Sequence, residues 1–351
     1  MIDGKPPRYV IVGAGAVGIT VGGLLTRAGS HVVCVARPAY AEALRRGVVL
    51  DLDGRETTVR AEAVTGIRDL SPENRDIVII TTKSQVTEPV IDELGGVYDN
   101  KVRVVCLQNG VRNEEIARRR FENVYAGLVF FSAVQLEPAS VSLPQGLTVA
   151  IGCYPNGVDD TARQFCDALT QAGFDAVCSA YAMAMKWGKL VANLNNATHA
   201  ITDYWLERGM AEVEMRSLML EVRQEGLRVL DAAGIEVEPP EGEPSPIRIR
   251  EMTEKLKLPP DSSRRFRDLP EKQRTYASMW QDLVLGRRSG EAEFLNGEIV
   301  TLGRELGIPT PYNSALLETV NSMFARSLKP GILTPAQLRA RIRSSNQRFN
   351  N

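Results

Sequence analysis

An α/β fold in two parts follows from this sequence: a doubly wound, mostly parallel sheet over residues 1–179, then an all-helical domain over residues 180–351. Three features carry that reading. From Tyr9 to about Ser179, short β-rich runs alternate with helical or polar segments, the pattern of parallel strands joined by crossover helices. A glycine-rich turn, Gly13-Ala14-Gly15-Ala16-Val17-Gly18, separates the first such run from a helical one. Beyond about Tyr181, apolar residues recur at three- and four-residue steps instead. A chain of 351 residues also exceeds what a single core usually holds.

The expected strands, in order, are Tyr9–Val12, His31–Val35, Asp76–Thr81, Arg103–Leu107 and Val124–Phe130. Ala139–Leu143 and Leu147–Ile151 flank the turn-forming Pro144-Gln145-Gly146, which predicts an antiparallel hairpin appended to the sheet. In the second half, three series mark long helices: Met215, Leu218, Met219, Val222 and Val229; Leu295, Ile299, Leu302 and Leu306; and Leu316, Val320, Phe324 and Leu328. Between the first and second series, residues from about 238 to 274 are rich in Pro, Glu, Arg and Lys and have no sustained apolar stripe. They read as a loop-like insertion with a short helix around Arg248–Leu256.

Composition narrows the function. Lys plus Arg number 42 against 43 Asp plus Glu, a formal charge of −1, so nothing favours nucleic acid or an anionic membrane surface. The five cysteines form no C-x-x-C pair, and His31 and His199 have no partner at metal-ligand spacing, so no metal site is expected. No stretch reaches the roughly 20 apolar residues of a membrane span. A cytoplasmic protein fits, and the long apolar helices suit a homodimer.

The glycine turn sits where a dinucleotide site requires it, after the strand Val10-Ile11-Val12 and before Ile19–Ala28. Gly13 permits the tight turn, Gly15 lets backbone approach a pyrophosphate, and Gly18 lets helix pack on strand. The helix N-terminus then offers free N–H groups to the phosphates. The next strand ends at Arg37, where an acid would hold a ribose 2′-hydroxyl; a guanidinium suits a 2′-phosphate instead. With Lys83 just past the third strand, this favours NADP(H) over NAD(H), although either cation alone also reads as a solvated surface group. Asn109, in Gln108-Asn109-Gly110 at the carboxyl edge of the sheet, can bond a ribose or substrate, or simply form an Asn-Gly turn.

In Trp187-Gly188-Lys189-Leu190-Val191-Ala192-Asn193-Leu194-Asn195-Asn196-Ala197, a helix brings Lys189, Asn193 and Asn196 onto one face beside core-type neighbours. Polar groups held there call for a polar partner, and a carbonyl substrate would supply one. Lys189 can protonate the oxygen of a carbonyl as hydride reaches its carbon, or lie in water on an amphipathic surface helix; Lys186, three residues earlier, is the rival donor. Glu291 falls in the first turn of the helix that continues to Leu306, with Ser289 as N-cap, so helix-dipole stabilisation competes with substrate binding as its role. Ser278, in Ser278-Met279-Trp280-Gln281-Asp282, is undistinguished alone.

Taken in order, G-A-G-A-V-G, T-T-K-S-Q, Q-N-G, W-x-K-L-x-x-N, S-M-x-Q-D and E-x-E-F-L-N-G cover nearly the whole chain apart from the insertion, and on them the sequence resembles the ketopantoate (2-dehydropantoate 2-) reductases. The resemblance implies a Rossmann domain followed by a helical domain like the C-terminal one of 6-phosphogluconate dehydrogenase, with the active site in the cleft between them. It implies NADPH as hydride donor, Arg37, Lys83 and Gln85 at the 2′-phosphate, and Asn109 near the nicotinamide end. It further implies Lys189 as the catalytic lysine, Asn193 as a ligand of a substrate hydroxyl, Ser278 at the carboxylate and Glu291 anchoring hydroxyls, in the reduction of 2-dehydropantoate to pantoate for pantothenate synthesis. The alternatives are an opine-type or 3-hydroxyacid dehydrogenase on the same two-domain plan, or a non-catalytic NADP-binding regulator, and two departures bear on the substrate. The family's second asparagine is Ala197 here, which leaves Asn196 or Asn195 to replace it, and the 238–274 insertion lies near the substrate-side helices.

Overall fold

Buried on both faces, a parallel strand is apolar except where a polar side chain finds a partner, and Arg8–Val12 (β1) has all five residues buried, with Arg8 paired to Asp76. The computed structural model describes residues 5–349 except 53, 132, 144–145, 240–244 and 256–267. It divides into two compact units, Met1–Lys186 and Trp187–Asn351.

In the first unit β1 leads into α1 (Ala16–Arg27), then β2 (His31–Val35), α2 (Pro38–Arg46), β3 (Val48–Leu52), β4 (Arg55–Val59) and β5 (Glu62–Val64). The chain then forms β6 (Asp76–Ile80), α3 (Thr87–Gly95), β7 (Arg103–Cys106), α4 (Asn113–Arg118) and β8 (Asn123–Phe130). It continues through β9 (Val134–Glu137), β10 (Ser140–Leu143), β11 (Thr148–Cys153), α5 (Asp160–Gln171), β12 (Asp175–Cys178) and α6 (Ala182–Asn193), the last of which runs on into the second unit. Among the described residues the main sheet has the order β12-β11-β8-β7-β6-β1-β2-β5. Only the β8/β11 pair is antiparallel.

The chain works outward from β1 to β2 and β5, then crosses back to β6 on the other side of β1. The gap between the carboxyl ends of β1 and β6 is therefore a topological switch point, where open α/β sheets bind ligands. The register of this pair is pinned at its far end. There Arg8 donates to both Asp76 oxygens at 2.7 Å, and the Tyr98 hydroxyl donates to the same carboxylate at 2.8 Å. Alternation along β1 feeds two cores: Tyr9 and Ile11 pack with Leu24, Ile79 and Phe165, and Val10 and Val12 with Val78, Val104 and Phe121.

The expected hairpin is not formed. β10 and β11 join different sheets: β11 enters the main sheet beside β8, and β10 lies in a second sheet of order β4-β3-β10-β9. Pro144 and Gln145 lie outside the described residues. Val141 and Leu143 of β10 and Val149 and Ile151 of β11 enter one core, with Val48, Leu50, Val59, Phe165 and Leu169, but from two different sheets.

The second unit continues α6 into α7 (Asn196–Thr202), α8 (Leu206–Ala211), α9 (Val213–Ala232), α10 (Pro246–Lys255), α11 (Ser278–Val284), α12 (Asn296–Glu305), α13 (Pro311–Ala325) and α14 (Pro335–Phe349). The first apolar series falls on α9, and the other two are centred on α12 and α13, although Leu295, Leu306 and Leu328 lie just outside those helices; α10 is the short helix of the insertion, and Leu256 lies outside the described residues. α9 packs against α8, α10, α12, α13 and α14. Its Glu225 accepts from the backbone N–H groups of Tyr312 and Asn313 at 3.0 and 2.8 Å, which satisfies donors that the first turn of α13 leaves open. Burial raises the Glu225 carboxyl and these bonds pull it back. No described helix is long and apolar enough to cross a membrane.

His199 on α7 is 1% exposed and rests on Gly209, where an added Cβ would stand 2.6 Å from the ring. Its Nδ1 lies 2.9 Å from the Tyr204 carbonyl, which can only accept, so Nδ1 carries the proton. Burial, with Arg223 nearby, pulls the imidazole down to about 4. The folded value lies below the unfolded one of about 6.5, so this contribution to stability is complete above pH 6.5 and is lost as pH falls toward 4. Urea titrations from pH 7 to 4 should show a loss of roughly 3 kcal/mol that His199→Gln removes; an unchanged slope in the variant contradicts this assignment.

Candidate active site

The turn after β1 is built from what each glycine tolerates. Gly13 has φ 110°, a region open to glycine without strain, and a Cβ there would meet Thr82 Cγ2 at 2.9 Å. At Gly18 a Cβ would stand 1.9 Å from the Gly13 carbonyl oxygen, so helix and turn meet only because the side chain is absent. At Gly15, by contrast, a Cβ would meet nothing within 4 Å. Ala14 is buried and Ala16 opens α1, with Val17 packed against the core.

Gly15 caps α1 without a side-chain bond, and the first turn holds no acid. Its N–H groups and the positive end of the helix are thus left for an anion approaching over Gly15. The turn is stitched to the switch point by Thr81, whose Oγ1 donates to the Gly13 carbonyl at 2.7 Å. These features fit a dinucleotide pyrophosphate.

Arg37 is exposed at the end of β2, where it starts α2 with Pro38 behind it and holds its guanidinium 4.8 Å from the Tyr40 ring centroid. Lys83, half-buried, precedes the short 3-10 turn Ser84–Val86 that contains the half-buried Gln85. Beyond β7, Gln108-Asn109-Gly110 is more than a turn. Gly110 has φ 80°, and the Asn109 carbonyl accepts from Ser84 Oγ at 2.7 Å and Asn113 Nδ2 at 2.8 Å. Gln108 Nε2 donates to the Thr82 carbonyl at 2.7 Å and to Thr87 Oγ1 at 2.9 Å. Sequence reasoning passed over Gln108, although the Q-N-G motif itself was the signal.

Lys186, the rival proton donor, is 3% exposed and forms an ion pair with Glu114 of α4, which is fully buried. The same ammonium lies 3.5 Å from the Cys106 carbonyl. Burial raises the Glu114 carboxyl while Lys186 pulls it back. Lys186 is thereby committed within the first unit, and Glu114 is a partner that sequence reasoning missed.

Lys189, Asn193 and Asn196 are all half-exposed, whereas Leu190, Val191, Leu194 and Ala197 are buried. The helix bearing them is not continuous, however. α6 ends at Asn193, Leu194 and Asn195 form a turn, and α7 starts at Asn196. The break persists because distant side chains take the carbonyls it involves. Asn296 Nδ2 donates to the Leu194 carbonyl at 2.9 Å, and Arg223 Nη2 to that of Ala192 at 3.2 Å. Asn195 is 2% exposed and donates to the Met219 carbonyl at 3.2 Å, so it belongs to the core.

Asn196 Nδ2 donates to Ser278 Oγ at 3.3 Å, which brings two of the candidate residues together. Glu291 departs from expectation: it precedes a 3-10 turn, Ala292–Phe294, and α12 begins only at Asn296. The side chain of Asn296 decides this, being completely buried between the Leu194 carbonyl and Asn313 Oδ1, both at 2.9 Å. Glu291 is 9% exposed, and Gly290 before it lies so close to the Phe324 ring that a Cβ would come within 2.6 Å. Glu293 is tied to Asn321 at 2.6 Å.

Comparison with known proteins bears on both units. Residues 9–156 match the family model described as ketopantoate reductase PanE/ApbA, and residues 182–323 match the one for its C-terminal domain. The 2-dehydropantoate 2-reductase of Archaeoglobus fulgidus is 31% identical over 320 residues, covering 90% of this chain and 97% of that protein. A PanE/ApbA family ketopantoate reductase from Ralstonia eutropha superposes with a TM-score of 0.73 at 26% identity over 91% of this chain and 99% of the other. D-mandelate dehydrogenase with NADH and anilino(oxo)acetate shares the fold at TM-score 0.73 and 22% identity, covering 91% and 99%.

Proposed function

The chain belongs to the ketopantoate reductase family and is an oxidoreductase, and on that premise we propose that it reduces a 2-oxo acid with NADPH, 2-dehydropantoate being the first-choice substrate. The observation that carries the reading is the pair Lys189 and Asn193, half-exposed on one side of α6, with the half-exposed Asn196 opening α7 against Ser278. On the cofactor side the support is the space over Gly15 and the acid-free N-terminus of α1.

Gly13 to Gly18 hold the pyrophosphate, and Arg37, with Lys83 and Gln85, holds the 2′-phosphate; a planar guanidinium suits that dianion. Asn109, its carbonyl already held by Ser84 and Asn113, orients the nicotinamide end with its side-chain amide. When bound, the reduced nicotinamide supplies hydride to the carbonyl carbon. Lys189 donates the proton that the oxygen gains. Ser278 and Asn196 hold the carboxylate, and Asn193 and Glu291 hold substrate hydroxyls. Lys186 takes no part in proton donation, since its ammonium is spent on Glu114 away from solvent.

Following NADPH and NADH oxidation against a panel of branched 2-oxo acids tests this. Turnover is expected with 2-dehydropantoate and with NADPH preferred; no turnover of any 2-oxo acid would refute the reading.

A further inference from the structure

Ser278 is an exposed hydroxyl at the first position of a seven-residue helix, with nothing in its own turn to hold it. Its setting comes from its neighbours. Upstream, the Thr275 carbonyl accepts from Leu206 N–H at 2.8 Å, and Thr275 N–H donates to Glu207 at 3.2 Å, so the segment is laid along the start of α8. Arg274 places its guanidinium 4.3 Å from the Trp205 ring centroid. Downstream, the Trp280 ring stacks on Tyr276 at 3.7 Å between centroids, and its indole N–H donates to Asp203 Oδ1 at 2.7 Å.

Asp203 caps the carboxyl end of α7 in the left-handed region, with φ 58°, while Asn196 opens the same helix. α11 therefore grips α7 at both ends, through Ser278 to Asn196 and through Trp280 to Asp203. Two contacts fix the slide and the rotation of one helix on another, whereas one contact leaves rotation about itself. The Ser278 contact is the long one, at 3.3 Å, and the Trp280 contact to a carboxylate is the short one, at 2.7 Å.

We propose that Trp280 and Asp203 are positioning residues that hold Ser278 and Asn196 in register for the carboxylate of the 2-oxo acid. The inference rests on the substrate reading above. It assigns affinity for the acid to an indole–carboxylate bond between two side chains that do not themselves touch substrate.

Trp280→Phe keeps the stack and removes the donor. KM for 2-dehydropantoate should rise roughly tenfold with kcat within about twofold. Asp203→Ala should do the same, and Asp203→Asn, which keeps the acceptor and tolerates the left-handed backbone, should restore affinity. Calorimetric titration of pantoate into the NADP+ complex gives a readout independent of turnover. In a Ser278→Ala background Trp280→Phe should add little, because it acts through Ser278. If Ser278→Ala weakens binding but Trp280→Phe lowers only the melting temperature, or adds fully to Ser278→Ala, the positioning role is wrong and the site reading stands. If Ser278→Ala leaves affinity unchanged, both fall.

Discussion

Replacing Lys189 by alanine is expected to lower kcat by two to four orders of magnitude while leaving NADPH affinity within about threefold. A positioned proton donor contributes about that factor, equivalent to roughly 3–5 kcal/mol of barrier. The expectation is specific because the competing lysine is accounted for. Lys186 is 3% exposed and paired with Glu114, whereas Lys189 is half-exposed on the side of α6 that carries Asn193. Stopped-flow or steady-state assays at saturating 2-oxo acid measure it. Retained turnover in Lys189→Ala would return the role to Lys186 and require the buried pair to open.

The contrast between these lysines shows what a sequence discloses. A three-residue spacing puts both on one broad side of a helix, and nothing local separates them; the separation is made by Glu114, 72 residues before Lys186. The glycine turn was legible because its requirements are local: positive φ at Gly13, contact at Gly18 and clearance at Gly15 all involve a strand, a turn and one helix. Most of the second sheet was not. Ala139–Leu143 foretells β10, but Arg55–Val59 carries mostly polar side chains, and the parallel pairing of β10 with β3 leaves no local mark in either strand.

The break between α6 and α7 was equally hidden, since Leu194-Asn195 contains neither Gly nor Pro. What stabilises it is the amide of Asn296, 102 residues away, in the same motif that sequence reasoning valued for Glu291. The aromatic clasp of Tyr276 and Trp280 on Asp203 belongs to this class too, because each residue alone is unremarkable and only tertiary proximity gives it a role.

Breaking the Lys186–Glu114 pair from one side should be the most destabilising single change among those considered. Lys186→Met leaves a carboxylate that is 0% exposed without its counter-charge, and such changes typically cost about 3–5 kcal/mol. Burial then raises the Glu114 carboxyl against only a backbone hydrogen bond, so the folded state favours the protonated acid more than the unfolded chain does. A group whose folded value is raised contributes stability below its unfolded pKa and loses it as pH rises. The deficit of Lys186→Met should accordingly be smallest near pH 4 and grow toward neutrality, opposite in sign to the acid sensitivity expected from His199. Adding Glu114→Gln to Lys186→Met removes the stranded charge and should recover much of the loss, because replacing both partners of a buried pair is far milder than replacing one. Urea unfolding of the four proteins in this cycle, at pH 5 and pH 8, measures the coupling. Additive losses would mean that the two side chains do not depend on each other, and α6 would then owe its seating in the first unit to apolar contacts such as that of Ala182 beneath Gly152.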